Sequence, residues 1–445
     1  MNKFKFISTI KAIILVPLIG AFGFAQAYEQ RVITPEEAGY NSKDLIGLSK
    51  IVDELYEDGR IPNYVLALYK DGEKFLDLTR GKTNLMGGKN VSTSTIYPLT
   101  SITKPVVTTG LFILIEDGAV KLDDKLSDYF PAFSTMMVAP GGDYRNQFEP
   151  QKRAITIRDL VTHTSGFTYS ENIAGFGDVG KTYTDLKIFS PRGGKNLAEH
   201  METLAEVPLV AHPGEQFNYS VSTDVIGAII EKVSGKSLAD FLDERLFTPL
   251  EMSSTGFFVS EENQEDLVTI YGAEPLSSSF PFQVIGKIPD AAESIDWKIG
   301  VTIPSENYLK QPQFYSGGGG ILSTPDDLAR YLTMVANDGV IDGKRILGEE
   351  FAKNHKISLV DLESEALANA FGEAAKYMTF GGGFGIKREP DNQTKTDYIF
   401  WAGAFNTFFW LDLSDNSIGI FFTAHWPVKY NISDNMEQIV DEARL

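Results

Sequence analysis

The order of apolar and polar positions divides this chain into β-patterned ends and a helix-patterned middle. Leu45, Leu48, Ile51, Val52 and Leu55 recur at helical spacing behind the cap signal Asn41-Ser42-Lys43-Asp44, and Asp58-Gly59 stops the run. A hairpin follows, with strands at Tyr64–Tyr69 and Lys74–Leu78 flanking Asp71-Gly72, a dipeptide suited to a type I′ turn. Val106, Val107, Leu111, Phe112, Leu114 and Ile115 then mark a helix that ends at Asp117-Gly118. Short helices are expected after Leu122 and over Ile155–Val161. Helical periodicity resumes from Leu197 to Ile230, broken at Pro213-Gly214, and continues through Leu238–Leu246. Residues 255–313 lack periodicity and read as a long loop or cover. Ser323-Thr-Pro-Asp-Asp caps a helix through Met334. The last hundred residues alternate again, with strands at Phe384–Lys387, Tyr398–Gly403, Thr407–Leu413 and Ile418–Ala424, a turn at Ser414–Ser417, and a closing helix at Gln438–Arg444.

This pattern predicts an α+β fold. A sheet assembled from 28–95 and 335–445 forms one domain, and a mainly helical domain over 96–334 is inserted in it, with a cleft between. Residues 1–27 stand outside the pattern. Lys3, Lys5 and Lys11 accompany an apolar run over Ala12–Ala25, and Ala25-Gln26-Ala27 is a small-x-small cleavage site, so a signal peptide cut after Ala27 is expected. No Cys follows that site to carry a lipid, and no other run reaches 18 apolar residues; a periplasmic or secreted protein without a stable membrane anchor is expected.

Zero Cys removes disulfides, thiol nucleophiles and thiolate metal sites. The net charge of −20 disfavours nucleic acid and anionic membrane surfaces as partners. The five histidines (163, 200, 212, 355 and 425) are scattered, and neither a His-Glu-x-x-His nor a Gly-x-Ser-x-Gly segment occurs, so no metal or other cofactor is expected. Gly175-Phe-Gly-Asp-Val-Gly-Lys-Thr182 satisfies a phosphate-loop expression, yet no buried strand precedes it, and it reads as a surface loop.

One pattern carries serine chemistry. Ser101-Ile-Thr-Lys104-Pro105 opens the second helical run, and residues three apart share a helix face, which sets Ser101 beside Lys104. A serine hydroxyl needs such a neighbour to become a nucleophile. Pro105 is tolerated in a first turn, where its missing N–H costs nothing.

Taken with Leu160-Val-Thr-His-Thr-Ser-Gly166, Pro213-Gly-Glu-Gln-Phe-Asn-Tyr-Ser220 and Gly317-Gly-Gly-Gly320, this segment resembles the serine β-lactamase and penicillin-binding-protein superfamily. The class C-like branch that includes the family VIII carboxylesterases is the nearest likeness. The resemblance spans essentially the whole chain after residue 27. It implies an antiparallel sheet flanked by terminal helices with a helical domain, Ser101 as acylated nucleophile, Lys104 as its partner, and Tyr219 as a base made more acidic by Lys104. Trp401-Ala402-Gly403 best matches the third motif, with His425 a rival, so the N–H groups of Ser101 and Ala404 form the implied oxyanion hole. Trp401 replaces the usual cation and Val221 the usual Asn. Both changes remove anchors for a β-lactam and leave an apolar cleft, expected near Phe405, Phe408 and Trp410. The expected activity is hydrolysis of a small carboxylic ester through an acyl-serine. A β-lactamase or D-Ala-D-Ala carboxypeptidase is the alternative, and a non-catalytic penicillin- or peptidoglycan-binding module is the rival of another class. The oligomeric state is not legible.

Overall fold

A computed structural model describes residues 30–171, 177–190, 194–274, 298–303, 308–360, 377–389, 392–426 and 433–445; the expected signal peptide lies outside them. The first helix, α1 (Ile46–Glu57), buries Leu48 and Val52. It starts at Leu45 with no side-chain cap, so the Asn41–Asp44 signal acts in the preceding turn, where Asn41 accepts from Lys43 N–H at 3.0 Å. Strands β1 (Asn63–Lys70) and β2 (Glu73–Gly81) make the expected hairpin. Asp71 and Gly72 have φ of 51° and 84°, the positive pair that a type I′ turn needs.

The C-terminal part supplies β3 (Met378–Gly381), β4 (Phe384–Glu389), β5 (Asn392–Gly403), β6 (Thr407–Asp412) and β7 (Ser417–Phe422). The sheet order is β3-β4-β5-β6-β7-β1-β2, antiparallel throughout. Its two ends of sequence meet where Val65 pairs with Phe422 and Lys70 with Ser417. Strand alternation then sorts the core. Leu66, Leu68, Trp410 and Phe421 pack with α1 and with Met436 and Val440 of the last helix. Val65, Ala67, Tyr69, Trp401, Phe409 and Ile420 face the larger core.

Three helices of that larger core frame the site: α2 (Thr103–Glu116), α3 (Ser222–Ser234) and α4 (Pro325–Ala336). α2 is buried from Thr103 to Leu114, so it is a central helix, covered all round. α4 lies against β1 and β7, and Tyr69 Oη donates to Asp326 Oδ1 at 2.8 Å. The expected domain limit at 334/335 therefore falls inside a helix that belongs with the sheet.

Two expectations are corrected. Gly177–Asp185 is a helix, so Gly180, Lys181 and Thr182 do not sit in a surface loop; Gly175 and Phe176 lie outside the described residues. Within 255–313, Ile270–Glu274 and Lys298–Ile303 pair antiparallel, and His425–Trp426 joins them in a small sheet. His425 thus lies in that small sheet, while Trp401–Gly403 ends a strand of the large one.

Candidate active site

Tyr97-Pro98 pairs with Leu322-Ser323 and delivers the chain to a 3₁₀ turn, Thr100–Ile102, that runs into α2. Ser101 lies in that turn, one residue pair ahead of the α-helix where the sequence placed it. The three-residue spacing still brings the side chains together, with Lys104 Nζ 3.2 Å from Ser101 Oγ. Lys104 is only 1% exposed and donates its second hydrogen bond to the Gly318 carbonyl at 2.6 Å.

Burial pushes the Lys104 ammonium down to about 7, against the opposing pull of the nearby Asp224 carboxylate. Asp224 sits in the first turn of α3 and accepts from Ser316 Oγ at 2.7 Å and Gly318 N–H at 3.0 Å. Burial raises its own pKa, with these bonds and Lys104 opposing. Gly318 is the strut between them, its N–H on Asp224 and its carbonyl on Lys104. A Cβ there would lie 2.5 Å from Asp224 Oδ2, so only glycine allows the approach.

Tyr219 reaches the same place. Lys104 Nζ stands over the face of its ring, 4.7 Å from the centroid. Among the described residues neither Tyr219 Oη nor Trp401 Nε1 makes a hydrogen bond of good geometry. Burial holds the phenol well above its ordinary range, although Ser101 and Trp401 lie near enough to ease its ionisation. The expected phenolate is therefore not favoured here. The group poised to change protonation near neutral pH is Lys104, and Tyr219 stands beside Ser101 as a neutral phenol. His163 packs under the Tyr219 ring at 4.9 Å and is kept neutral by burial and by Lys104.

The third motif closes the site from β5. Trp401 is 4% exposed, its ring 5.6 Å from Tyr219 and 5.2 Å from Phe380. It wedges behind Tyr219. Ala402 is half-buried beside it, and Gly403 ends the strand against Leu99 and Thr100. Ala404 N–H, expected to face substrate directly, donates instead to Thr100 Oγ1 at 2.6 Å. Val221 begins α3 and contributes to the cavity wall.

The cavity over Ser101 has a volume of about 550 Å³. Tyr169, Phe189, Phe257, Tyr308 and Phe314 wall it, with Lys310, Gln311 and Gln313 at one side. The cleft is aromatic, as expected, but from other residues. Phe408 and Trp410 point through the sheet into the opposite core, because Trp401 pairs with Phe409 and alternation turns their neighbours away.

Residues 48–440 match the family profile described as Beta-lactamase. The chain belongs to the beta-lactamase family. Its relatives include Protein Rv1367c of Mycobacterium tuberculosis, 26% identical over 86% of this chain and 91% of that protein. Esterase EstB of Burkholderia gladioli is 27% identical over 66% of this chain and 71% of its own length, in line with the anticipated esterase branch. Among solved structures, EstCE1, a hydrolase with promiscuous acyltransferase activity, has the same fold, with a TM-score of 0.69 at 22% identity over 90% of this chain and 97% of that one. The beta-lactamase-like fold and a serine hydrolase activity follow from these likenesses. Two residues at the centre, Thr100 and Asp224, were not singled out in the sequence. Asp224 left a faint signal, an acid in the first turn of a helix five residues after Tyr219.

Proposed function

We propose that this chain is an exported esterase that cleaves small carboxylic esters through an acyl-enzyme on Ser101. The observation that carries this reading is the Ser101–Lys104 pair, its lysine buried and its serine opening into a cavity walled by aromatic rings; burial lowers the lysine pKa toward neutrality. Neutral Lys104 accepts the Ser101 proton as Oγ bonds to the ester carbonyl carbon and the π pair moves to oxygen. Collapse restores the carbonyl and expels the alkoxide, which takes up the proton that Lys104 gained, with Tyr219 placed to pass it, so that Lys104 is neutral again. Water then loses a proton to Lys104, attacks the acyl carbon, and frees the acid as Ser101 regains its hydrogen. Export is proposed from the residues before Tyr28; no helix among the described residues is long and apolar enough to cross a membrane.

A panel of p-nitrophenyl esters of graded acyl length, run beside nitrocefin on purified protein, tests the substrate class. Ester kcat/KM should exceed that for nitrocefin by about a hundredfold or more, since Trp401 and Val221 offer no polar anchor for a lactam. Comparable rates would move the assignment to β-lactams, and no turnover of any ester would leave a binding module.

The pH profile tests the base. Lys104 must be neutral to take the proton, so kcat/KM should rise with pH as a single ionisation near 7 and then level off. A flat profile, or a fall across that range, would remove Lys104 from the role.

A further inference from the structure

Thr100 stands immediately before the nucleophile with a backbone φ of 46°. A β-branched residue in that left-handed conformation is a genuine outlier, sterically costly and held only where its surroundings insist on it. The conformation carries its hydroxyl to the end of β5, where Oγ1 accepts the Ala404 N–H at 2.6 Å. Gly403 makes the room: a Cβ there would sit 2.4 Å from Thr100 Oγ1 and 2.3 Å from the Leu99 carbonyl. Thr407 Oγ1 binds the same Leu99 carbonyl at 3.3 Å, so strand and nucleophile turn are tied at two successive residues. Thr100 is half-buried and shares the cavity wall with Ser101 and Ala404.

We propose that the Thr100 hydroxyl is itself an oxyanion donor, facing the substrate oxygen with the Ala404 N–H acting through it. The inference rests on the acyl-serine reading above. A hydroxyl has one proton and two lone pairs. Accepting the Ala404 N–H uses one lone pair and leaves the proton available, and no acceptor for that proton occurs among the described residues. An O–H that already accepts from an amide is a stronger donor, because the two bonds polarise each other. When Ser101 Oγ adds to the carbonyl carbon and the π pair moves to oxygen, that O–H stabilises the new charge and no proton changes hands. The backbone N–H of Ser101 remains the second donor. The competing account is that the hydroxyl merely fills an empty oxyanion position and leaves when substrate enters.

Thr100→Val keeps the shape and the β-branch and removes only the O–H and its lone pairs. It should lower kcat for p-nitrophenyl acetate by about 10²-fold, the effect of losing one oxyanion donor, with KM within about threefold and an unchanged melting temperature. Thr100→Ser should restore kcat to within about threefold. Inhibition by an alkylboronic acid, whose tetrahedral adduct sets an oxygen in the same place, should weaken with kcat in the Val variant and recover in the Ser variant. Val at wild-type kcat or faster would overturn the proposal in favour of the placeholder. A Ser variant as slow as Val would overturn it too, since the backbone and not the hydroxyl would then matter. If Val does not fold, Thr100→Ala carries the same comparison with Ser. Fluorophosphonate labelling of Ser101 in the wild type separates the two levels: without that adduct the acyl-serine reading falls and this inference with it, whereas a labelled enzyme indifferent to Thr100→Val removes this inference alone.

Discussion

Ser101→Ala is expected to reduce turnover of p-nitrophenyl acetate by on the order of 10⁵- to 10⁶-fold, the scale seen when a nucleophile is removed from an acyl-transfer site. Among the described residues no other hydroxyl of the cavity wall is hydrogen-bonded to a buried lysine. The chain has no Cys, Ser316 is committed to Asp224, and the Thr100 hydroxyl is bound to Ala404 N–H. What remains is stabilisation of an oxyanion formed by direct attack of water, which is slow. The fold should survive the change. Ser101 Oγ accepts from Lys104 at 3.2 Å, and Lys104 keeps its 2.6 Å bond to Gly318, so the buried ammonium is not left without a partner. The expected stability change is within about 1 kcal/mol. Circular-dichroism melts of both proteins, with stopped assays at high enzyme concentration, check the pair of claims. More than about one per cent of wild-type kcat in a folded Ala variant would exclude the acyl-serine route.

How much of this was legible follows from how far apart the partners lie in sequence. Ser101 and Lys104 sit within one turn, and the hairpin at Asp71-Gly72 is set by two adjacent residues, so local pattern sufficed for both. Trp401 was read as a departure from a cationic motif; its indole packs behind Tyr219 and leaves the cavity wall to other rings. Asp224 and Gly318 meet across 94 positions and Thr100 and Ala404 across 304, and nothing in either segment announces its partner. The effect of burial on Lys104 and Tyr219 was not legible for a related reason. Proximity alone predicts a phenolate beside an ammonium, but burial works against both charged forms and outweighs proximity at each. The misplacing of Phe408 and Trp410 was avoidable. A hairpin joining Gly403 to Thr407 fixes the pairing of Trp401 with Phe409, and period two then sends Phe408 and Trp410 to the other face.

Lys104→Met is expected to separate activity from stability in a direction opposite to most core substitutions. Met fills a similar volume and cannot accept a proton, so kcat should fall by about 10³-fold or more, the upper part of the range for losing a general base. Stability should rise. In the folded protein burial brings the Lys104 pKa from 10.5 to about 7, and each unit is about 1.4 kcal/mol, so holding the ammonium form costs the fold on the order of 4–5 kcal/mol. The attraction to Asp224 is already contained in that shift, and losing the charged bond to Gly318 O, which leaves a buried carbonyl without this partner, offsets much of the gain. A net stabilisation of about 1–2 kcal/mol near neutral pH, and a melting temperature higher by a few degrees, remains. The pH dependence gives the cleaner signature. A depressed folded pKa means that between about 7 and 10.5 the unfolded chain binds a proton that the folded chain does not. The Lys104 contribution is therefore neutral above that window, and stability is lost as pH falls through it toward 7. Wild-type urea midpoints should accordingly climb with pH through this range relative to those of Lys104→Met, whose advantage shrinks as pH rises. A Met variant that keeps kcat within tenfold would exclude Lys104 as the base. A variant less stable than wild type at neutral pH would show that the Lys104–Asp224 attraction outweighs desolvation, and that the lysine enters the reaction charged.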